Sequence, residues 1–334
     1  MDFKTFKAGK DDDGRRLDKV LRRFLSGENL SSLYKSLRKG LIKVNGKKCP
    51  GEFRLSEGDE IKVADFLLPL ELTNEKNESY SPRKSSEKES KFIESITIFK
   101  NETLLILNKP YDIPVQPSPS SKGNSLAEIV QKDYEITQKN SSLSFRTGPL
   151  HRLDRKTTGL IAFSQNLEGA KWFSEKIKNH EIQKVYLALL EGKLTEKAVW
   201  EDDLHNATAS RQGAFHTVSV SSGGDGKAAY TEVTPISHGI FNKKSVTLAR
   251  ILIKTGRTHQ IRAQAAFHGF PLLGDTAYGG QKIDSKLYGQ EFFLHAAELH
   301  FPKDNPLGLA ESIAAPIPQS FEKLLAQLTL KKVL

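Results

Sequence analysis

The sequence predicts an α+β chain: a small α/β module, then a larger domain on a mixed, largely antiparallel sheet. Three observations predict it. Two helical patterns and several short strands are packed into residues 15–64. From residue 96 onward, apolar strand-like runs follow one another closely, with helices interspersed rather than alternating regularly, which favours antiparallel neighbours. Between them, residues 71–92 are rich in Glu, Lys, Ser and Asn and nearly free of aliphatics, a composition that buries too little apolar surface to order itself. The expected division is a module over residues 1–70 (core 15–64), a flexible linker over 71–95 and a second domain over 96–334.

Composition narrows the class. A chain of 334 residues has room for two domains, and its formal net charge of +10 favours a polyanionic partner. The single cysteine, Cys49, excludes an internal disulfide and any multi-cysteine metal site. A chain of this length without disulfides fits a reducing compartment. Residues 1–10 hold no apolar leader, and no window approaches about 18 uninterrupted apolar residues. A cytoplasmic protein with no membrane association is expected, by default a monomer.

The elements follow in order. Residues 1–14 are polar and read as a turn at Asp11-Asp12-Asp13-Gly14. Leu17, Val20, Leu21, Phe24 and Leu25 fall on one helical face. A second helix begins at Ser31 or Ser32 as N-cap and ends at Gly40. Leu41–Val44, the turn Asn45-Gly46 and Lys47-Lys48 read as a hairpin, and Glu60–Val63 as a further strand. Between Asn29 and Gly51 stand six cations (Lys35, Arg38, Lys39, Lys43, Lys47 and Lys48) and no acid. Phosphate contacts require such an unbroken basic surface.

In the second domain, Ile96–Phe99 and Leu104–Lys109 read as a hairpin, followed by a Pro- and Ser-rich loop over 111–124. Helical spacing returns at Leu126, Ile129 and Val130, and Lys132 to Arg146 reads as exposed. Leu167–Asn179 is a helix and Gln183–Gly192 a strand that places Lys184, Tyr186 and Ala188 on one face. Residues 201–226 read as loop-rich; strands follow at 228–235 and 246–253, the latter running into Lys254–Gln264. A short strand over 292–296 and a helix over 321–328 complete the chain.

The chemistry concentrates at Gly148-Pro149-Leu150-His151-Arg152-Leu153-Asp154-Arg155-Lys156-Thr157-Thr158-Gly159-Leu160. One acid sits among three cations, with His151 close by. Nearby positive charge favours the ionised carboxylate, which suits nucleophile or base work beside a polyanion. A salt-bridged surface loop is the competing reading. His-Arg-Leu-Asp also occurs in kinase catalytic loops, but the chain has no Gly-rich nucleotide loop upstream and no Asp-Phe-Gly downstream.

Two resemblances sharpen these expectations. Residues 15–64, through Arg-Leu-Asp-Lys-Val-Leu, Ser-Leu-Tyr-Lys-Ser-Leu-Arg-Lys-Gly, Lys-Val-Asn-Gly-Lys and Gly-Asp-Glu-Ile, resemble the RNA-binding module named after ribosomal protein S-four. Roughly residues 96–300 resemble the RluA family of RNA pseudouridine synthases. The motifs are His-Arg-Leu-Asp-Arg-Lys-Thr-Thr-Gly-Leu (151–160), Lys-Val-Tyr-Leu-Ala (184–188), Gly-Lys-Ala-Ala-Tyr-Thr (226–231), Thr-Gly-Arg-Thr-His-Gln-Ile-Arg (255–262), Leu-Gly-Asp-Thr-Ala-Tyr-Gly-Gly (273–280) and Phe-Leu-His-Ala (293–296). The module in front makes the RluC/RluD branch, which acts on large-subunit ribosomal RNA, the most similar.

That resemblance implies isomerisation of uridine to pseudouridine in RNA, without cofactor or metal. It implies catalytic roles for Asp154, for Tyr186 stacked on the base, and for Arg262 paired with the aspartate, with Arg257 as the alternative partner. Arg152 is a candidate to fill the gap left by an unstacked uridine, and Ile261 to pack under the base. Lys35, Arg38, Lys39, Lys43 and Lys47 are the expected RNA contacts of the module. For His151 and His259 a structural role is favoured. Thr158 stands where the family usually has Ser, and Gln264 and Phe270 where it commonly has His. Transfer RNA is the alternative substrate. A non-catalytic RNA-binding assembly factor is the alternative class, and it would dispense with the Asp154, Tyr186 and Arg262 set.

Overall fold

The computed structural model describes residues 2–25, 29–69, 84–117, 125–137, 142–205, 217–221, 224 and 226–333. They divide into two units: Met1–Ile93 with Ile129–Gly148 and Gln165–Gly169, and the remainder of the chain from Glu94.

In the first unit, β1 (Phe3–Lys7) precedes α1 (Leu17–Phe24), α2 (Leu30–Lys39), β2 (Ile42–Val44) and β3 (Glu60–Ala64). The strands form an antiparallel sheet in the order β1-β3-β2. The predicted helical face is the buried one: Leu17, Val20, Leu21 and Leu25 pack with Leu33, Leu37, Ile42, Val44, Ile61 and Val63. Burying an aliphatic side chain of this size is worth about 1.5–3 kcal/mol, so this face fixes the module.

Three local expectations are corrected. The N-cap of α2 is Asn29, whose side chain accepts the Ser32 N–H at 2.8 Å, not Ser31 or Ser32. Gly40 ends the helix in the left-handed conformation, φ 75°. The Asn45-Gly46 turn closes on a single bridge, Val44 to Lys47; β2 pairs instead with β3, because Val44 continues an apolar edge that Lys47-Lys48 cannot. Residues 3–7, read as polar, form a strand through register with β3, Phe3 opposite Ala64 and Lys7 opposite Glu60.

The Asp11–Asp13 run is more than a turn. The Asp12 carboxylate is fully buried and accepts from the Ser142 and Ser144 hydroxyls and the Leu143 N–H at 2.5–2.9 Å. Ser144 is consequently buried, against the expectation of an exposed 132–146. A helix, α3 (Lys84–Ile96), stands where the linker was expected to run to residue 95; residues 71–83 of that expectation lie outside the described residues.

The second unit takes up β4 (Thr97–Lys100), β5 (Leu104–Lys109), α4 (Leu126–Thr137, in part), β6 (Thr158–Ser164), α5 (Leu167–Lys178, in part), β7 (Gln183–Glu191), β8 (Ala198–His205), β9 (Ser219–Ser221), β10 (Lys227–Phe241) and β11 (Lys244–Ile253). Then come α6 (Gln260–Phe267), α7 (Ser285–Tyr288), β12 (Leu294–His300), β13 (Ser312–Ala314), α8 (Gln319–Gln327) and β14 (Lys331–Lys332). The sheet runs β4-β5-β6-β12-β7-β11-β10-β8-β9, with β13 on β12 and β14 on β10. Among the described pairings only β6–β12 is parallel, Thr158 opposite His295.

β6 is buried along its whole length, as its unbroken apolar run requires. Its Gly159, at φ 106°, lies against the Ala296 backbone of β12, where any Cβ would collide with the Ala296 carbonyl. Residues 201–205, expected as loop, belong to β8; the rest of that loop-rich stretch through 216 is outside the described residues. Residues 260–267, to which the sequence assigned no element, form α6.

Candidate active site

The loop carrying Asp154 is short and pinned at both ends. Before it, Leu150 N–H donates to Ala162 O at 2.8 Å, and His151 Nε2 accepts the Ala162 N–H at 3.0 Å. At its tip, Thr157 N–H donates to Asp154 O at 3.1 Å, and the chain re-enters as β6. Beneath it, the wholly buried Lys109 at the end of β5 donates to the carbonyls of Pro110, Ile113 and Arg155 at 2.9–3.0 Å. Burial pulls this amine down to about 7, against the opposing pull of Asp154 and Asp112. Arg155 reaches out to Asp112 at 2.8 Å. The predicted salt-bridged loop is thus real for Arg155, while Asp154 turns the other way.

Asp154 faces α6. Its Oδ2 lies 3.6 Å from Arg262 Nη1 and 3.8 Å from His259 Nε2, close enough for strong electrostatic attraction and long for direct hydrogen bonds. Arg262 is held from behind: its Nε and Nη2 donate to the two oxygens of Asp275 at 2.6 and 2.9 Å. Its guanidinium also lies over the Tyr278 and Phe292 rings, 5.0 and 4.7 Å from their centroids. A bidentate pair of this kind fixes the plane of the guanidinium, so the remaining Nη1 has a set direction. Sequence reasoning gave Asp275 no role, although it quoted the Leu-Gly-Asp motif. The available signal was that a buried arginine needs a buried acid.

His259 begins α6 in the left-handed region, φ 53°. Its Nδ1 lies 2.9 Å from the Tyr278 hydroxyl, which itself accepts the Val218 N–H at 2.8 Å. The contact with Tyr278 fixes the plane of the imidazole and turns Nε2 toward Asp154. Gln260 pins the preceding turn, accepting from Thr255 Oγ1 and Arg257 N–H and donating to Tyr230 O and Thr231 Oγ1. Gln264 is spent on Thr231, Trp200 and Asp202, so it serves packing rather than the cavity.

A cavity of about 350 Å³ opens beside Asp154 and brings together six of the predicted residues: Arg152, Asp154, Tyr186, Arg257, Ile261 and Arg262. Tyr186 comes from β7, is 5% exposed, and its phenol is pushed up by burial and then by the Asp154 charge. Ile261 is buried in the wall; Arg152 and Arg257 are exposed at the rim. Of the two arginines considered as the aspartate's partner, Arg262 is the one at ion-pair distance, whereas Arg257 donates to Ala228 O at 3.2 Å. Among the described residues Asp154 is the only acid in the lining, against Arg152, Lys178, Lys184, Lys254, Arg257 and Arg262. Lys35, Arg38, Lys39 and Lys47 are exposed in the first unit, with Lys43 half-buried.

Comparison with known proteins identifies the family of the chain. The profile of the RNA pseudouridylate synthase family matches residues 103–267, and that of the S4 domain residues 15–61. The chain is 29% identical over 325 residues to ribosomal large subunit pseudouridine synthase C of Escherichia coli K12, covering 95% of this chain and 94% of that protein. It is 29% identical over 335 residues to the protein of that name from Salmonella typhi, covering 98% and 97%. Among solved structures, human RNA pseudouridylate synthase domain containing 4 aligns with a TM-score of 0.57 at 20% identity, over 74% of this chain and 98% of that one. Human RNA pseudouridylate synthase domain containing 1 aligns with 0.52 at 23%, over 72% and 89%. The fold is that of a pseudouridine synthase preceded by an S4 domain. The chain belongs to the RNA pseudouridylate synthase family, whose members are isomerases.

Proposed function

We propose that the protein isomerises uridine to pseudouridine in large-subunit ribosomal RNA, with residues 96–334 as catalytic domain and residues 1–70 as RNA-binding module. The observation that carries this reading is the carboxylate of Asp154 held near Arg262 and His259 in a cavity whose other charged lining residues, among the described residues, are cations. A cationic mouth draws in the phosphates on either side of a uridine. The uridine must leave its stack to reach such a cavity, and Arg152 at the rim can occupy the place it vacates. The ribosomal substrate is carried over from the full-length relatives named above. The S4 match in this chain and the near-complete coverage of those relatives favour it over transfer RNA, and the complete Asp154, Tyr186 and Arg262 set favours the enzyme over a binding factor.

The reaction breaks the bond from N1 of the base to the ribose, turns the base and joins C5 to the same ribose carbon; N1 gains a proton and C5 loses one. Asp154 opens it as an anion, either by attacking the uridine or by taking a proton from the ribose. Arg262 keeps that charge in place. Tyr186, its phenol kept neutral by burial, offers a stacking face, and its hydroxyl can pass on the C5 proton rather than stand as a phenolate. Ile261 supports the base. The whole is expected to act as a cytoplasmic monomer; among the described residues no helix is long and apolar enough to cross a membrane.

The test is single-turnover isomerisation of ribosomal RNA by wild type and Asp154→Asn. The variant should show no turnover while binding RNA within about twofold of wild type, since one neutralised side chain moves phosphate affinity little. Retained turnover contradicts the assignment of Asp154.

A further inference from the structure

Two lysines of the second unit are buried, and they are treated differently. Lys109 gives its ammonium to three carbonyls. Lys184, 8% exposed, has neither a carboxylate nor a hydrogen-bond acceptor on its Nζ among the described residues. Its stem is buried while Nζ keeps access to the cavity; a cation so little hydrated and without a partner costs the free protein stability, which a bound anion would return. Lys184 stands on β7 opposite Ile253 of β11 and Leu299 of β12. It is two residues from Tyr186 on the same face, roughly 7 Å along the strand. Its side chain lines the same cavity as Asp154.

The wall above it is left open. A Cβ on Gly256 would stand 3.3 Å from Lys184 Nζ. Gly256 is not in the left-handed region, so the backbone does not demand glycine there; what glycine supplies is room over the ammonium. The neighbouring lining is cationic or neutral. Lys178, Lys254 and Arg257 line the same cavity, and His151, whose Nδ1 is buried without a partner among the described residues, is close enough to feel the Lys184 charge.

We propose that Lys184 is a positioning residue that binds a backbone phosphate of the RNA next to the uridine held at Asp154, with Gly256 keeping the approach clear. This rests on the proposed isomerisation of uridine. The incoming phosphate supplies the counter-charge the fold withholds, and it fixes the strand one nucleotide's reach from the base, so that the target enters the cavity in register with Asp154. Exposed rim arginines adapt to many phosphate positions; a buried ammonium on a sheet strand accepts one.

The experiment is a cycle between protein and RNA. Synthetic RNA carrying a uridine modified by the wild type is made with a neutral methylphosphonate at each flanking phosphate in turn. Binding and single-turnover rates are measured for wild type, Lys184→Met and Lys184→Arg. With unmodified RNA, Lys184→Met should bind about tenfold more weakly, the scale of one charge-assisted contact, and the rate at saturating protein should fall as well, because the uridine is no longer held in register with Asp154. At one phosphate the methylphosphonate should cost the wild type a similar factor and cost Lys184→Met nothing further, while Lys184→Arg regains part of the coupling. Replacing an unpaired buried charge by an apolar chain leaves the fold at least as stable, so the variant is available for measurement. Additive losses at every phosphate, or full affinity in Lys184→Met, overturn the assignment. Absence of pseudouridine in the wild-type reaction defeats the functional reading instead.

Discussion

Arg262 is shared unequally between two carboxylates: two hydrogen bonds to Asp275 and a looser approach to Asp154. That inequality leaves the Asp154 oxygens free for substrate while the opposing charge stays in range. Asp275→Asn should therefore lower the single-turnover rate by about a hundredfold, because a displaced guanidinium no longer holds the aspartate in place. It should cost on the order of 3 kcal/mol of stability by breaking a buried pair, with RNA affinity unchanged. Denaturant titration and rapid-quench assays check both; an unchanged rate would mean that Asp275 is structural only. At this scale the sequence was informative about charge and poor about pairing. Asp154, Tyr186 and Arg262 were legible from motifs and now share one cavity. Asp275 and Lys109 were not singled out, because which acid meets a buried arginine, and which carbonyls meet a buried lysine, is decided by tertiary contact.

At the scale of elements, two neutral histidines join the Asp154 loop and β12 to β6. His151 takes the Ala162 N–H. His295 Nδ1 lies 2.8 Å from Thr158 Oγ1 and its Nε2 3.3 Å from Ala315 O, so the hydroxyl at 158 is used structurally. Burial pulls these imidazoles down to about 3 and about 4 from 6.5, with Lys184 adding to the effect on His151. The folded state refuses the proton that the unfolded chain accepts. Stability is thus intact above pH 6.5 and lost as pH falls toward 4, by about 1.4 kcal/mol per pH unit for each group. Urea unfolding at pH 7 and pH 5 should show this loss; equal stabilities would contradict the neutral assignment. The elements best read from sequence were those with one strong period, such as α1 and the β4–β5 hairpin. β1 and α6 were missed for opposite reasons. Phe3-Lys4-Thr5-Phe6-Lys7 has no alternation and becomes a strand only by pairing with β3. α6 buries Gln260, Arg262 and Gln264 alongside Ile261, Ala263 and Ala265, so polar and apolar residues alternate among its buried positions and no helical apolar stripe stands out.

At the scale of the whole molecule, the formal net charge is +10, and cations stand on the exposed side of α2 in the S4 domain and around the cavity of the second unit, where the proposed function would have them meet phosphate. Replacing Lys35, Arg38 and Lys39 together by Gln should flatten the dependence of log affinity on log salt by about 2–3, with the rate on saturated RNA unchanged. An equal slope would mean that α2 does not touch phosphate. The central claim is that Asp154 drives uridine isomerisation in ribosomal RNA. It is tested most directly by pseudouridine mapping across ribosomal and transfer RNA in cells carrying wild-type protein, Asp154→Asn protein or none. The account predicts the same large-subunit positions missing from the last two strains and present in the first. Positions retained with Asp154→Asn, or no position lost without the protein, would contradict it.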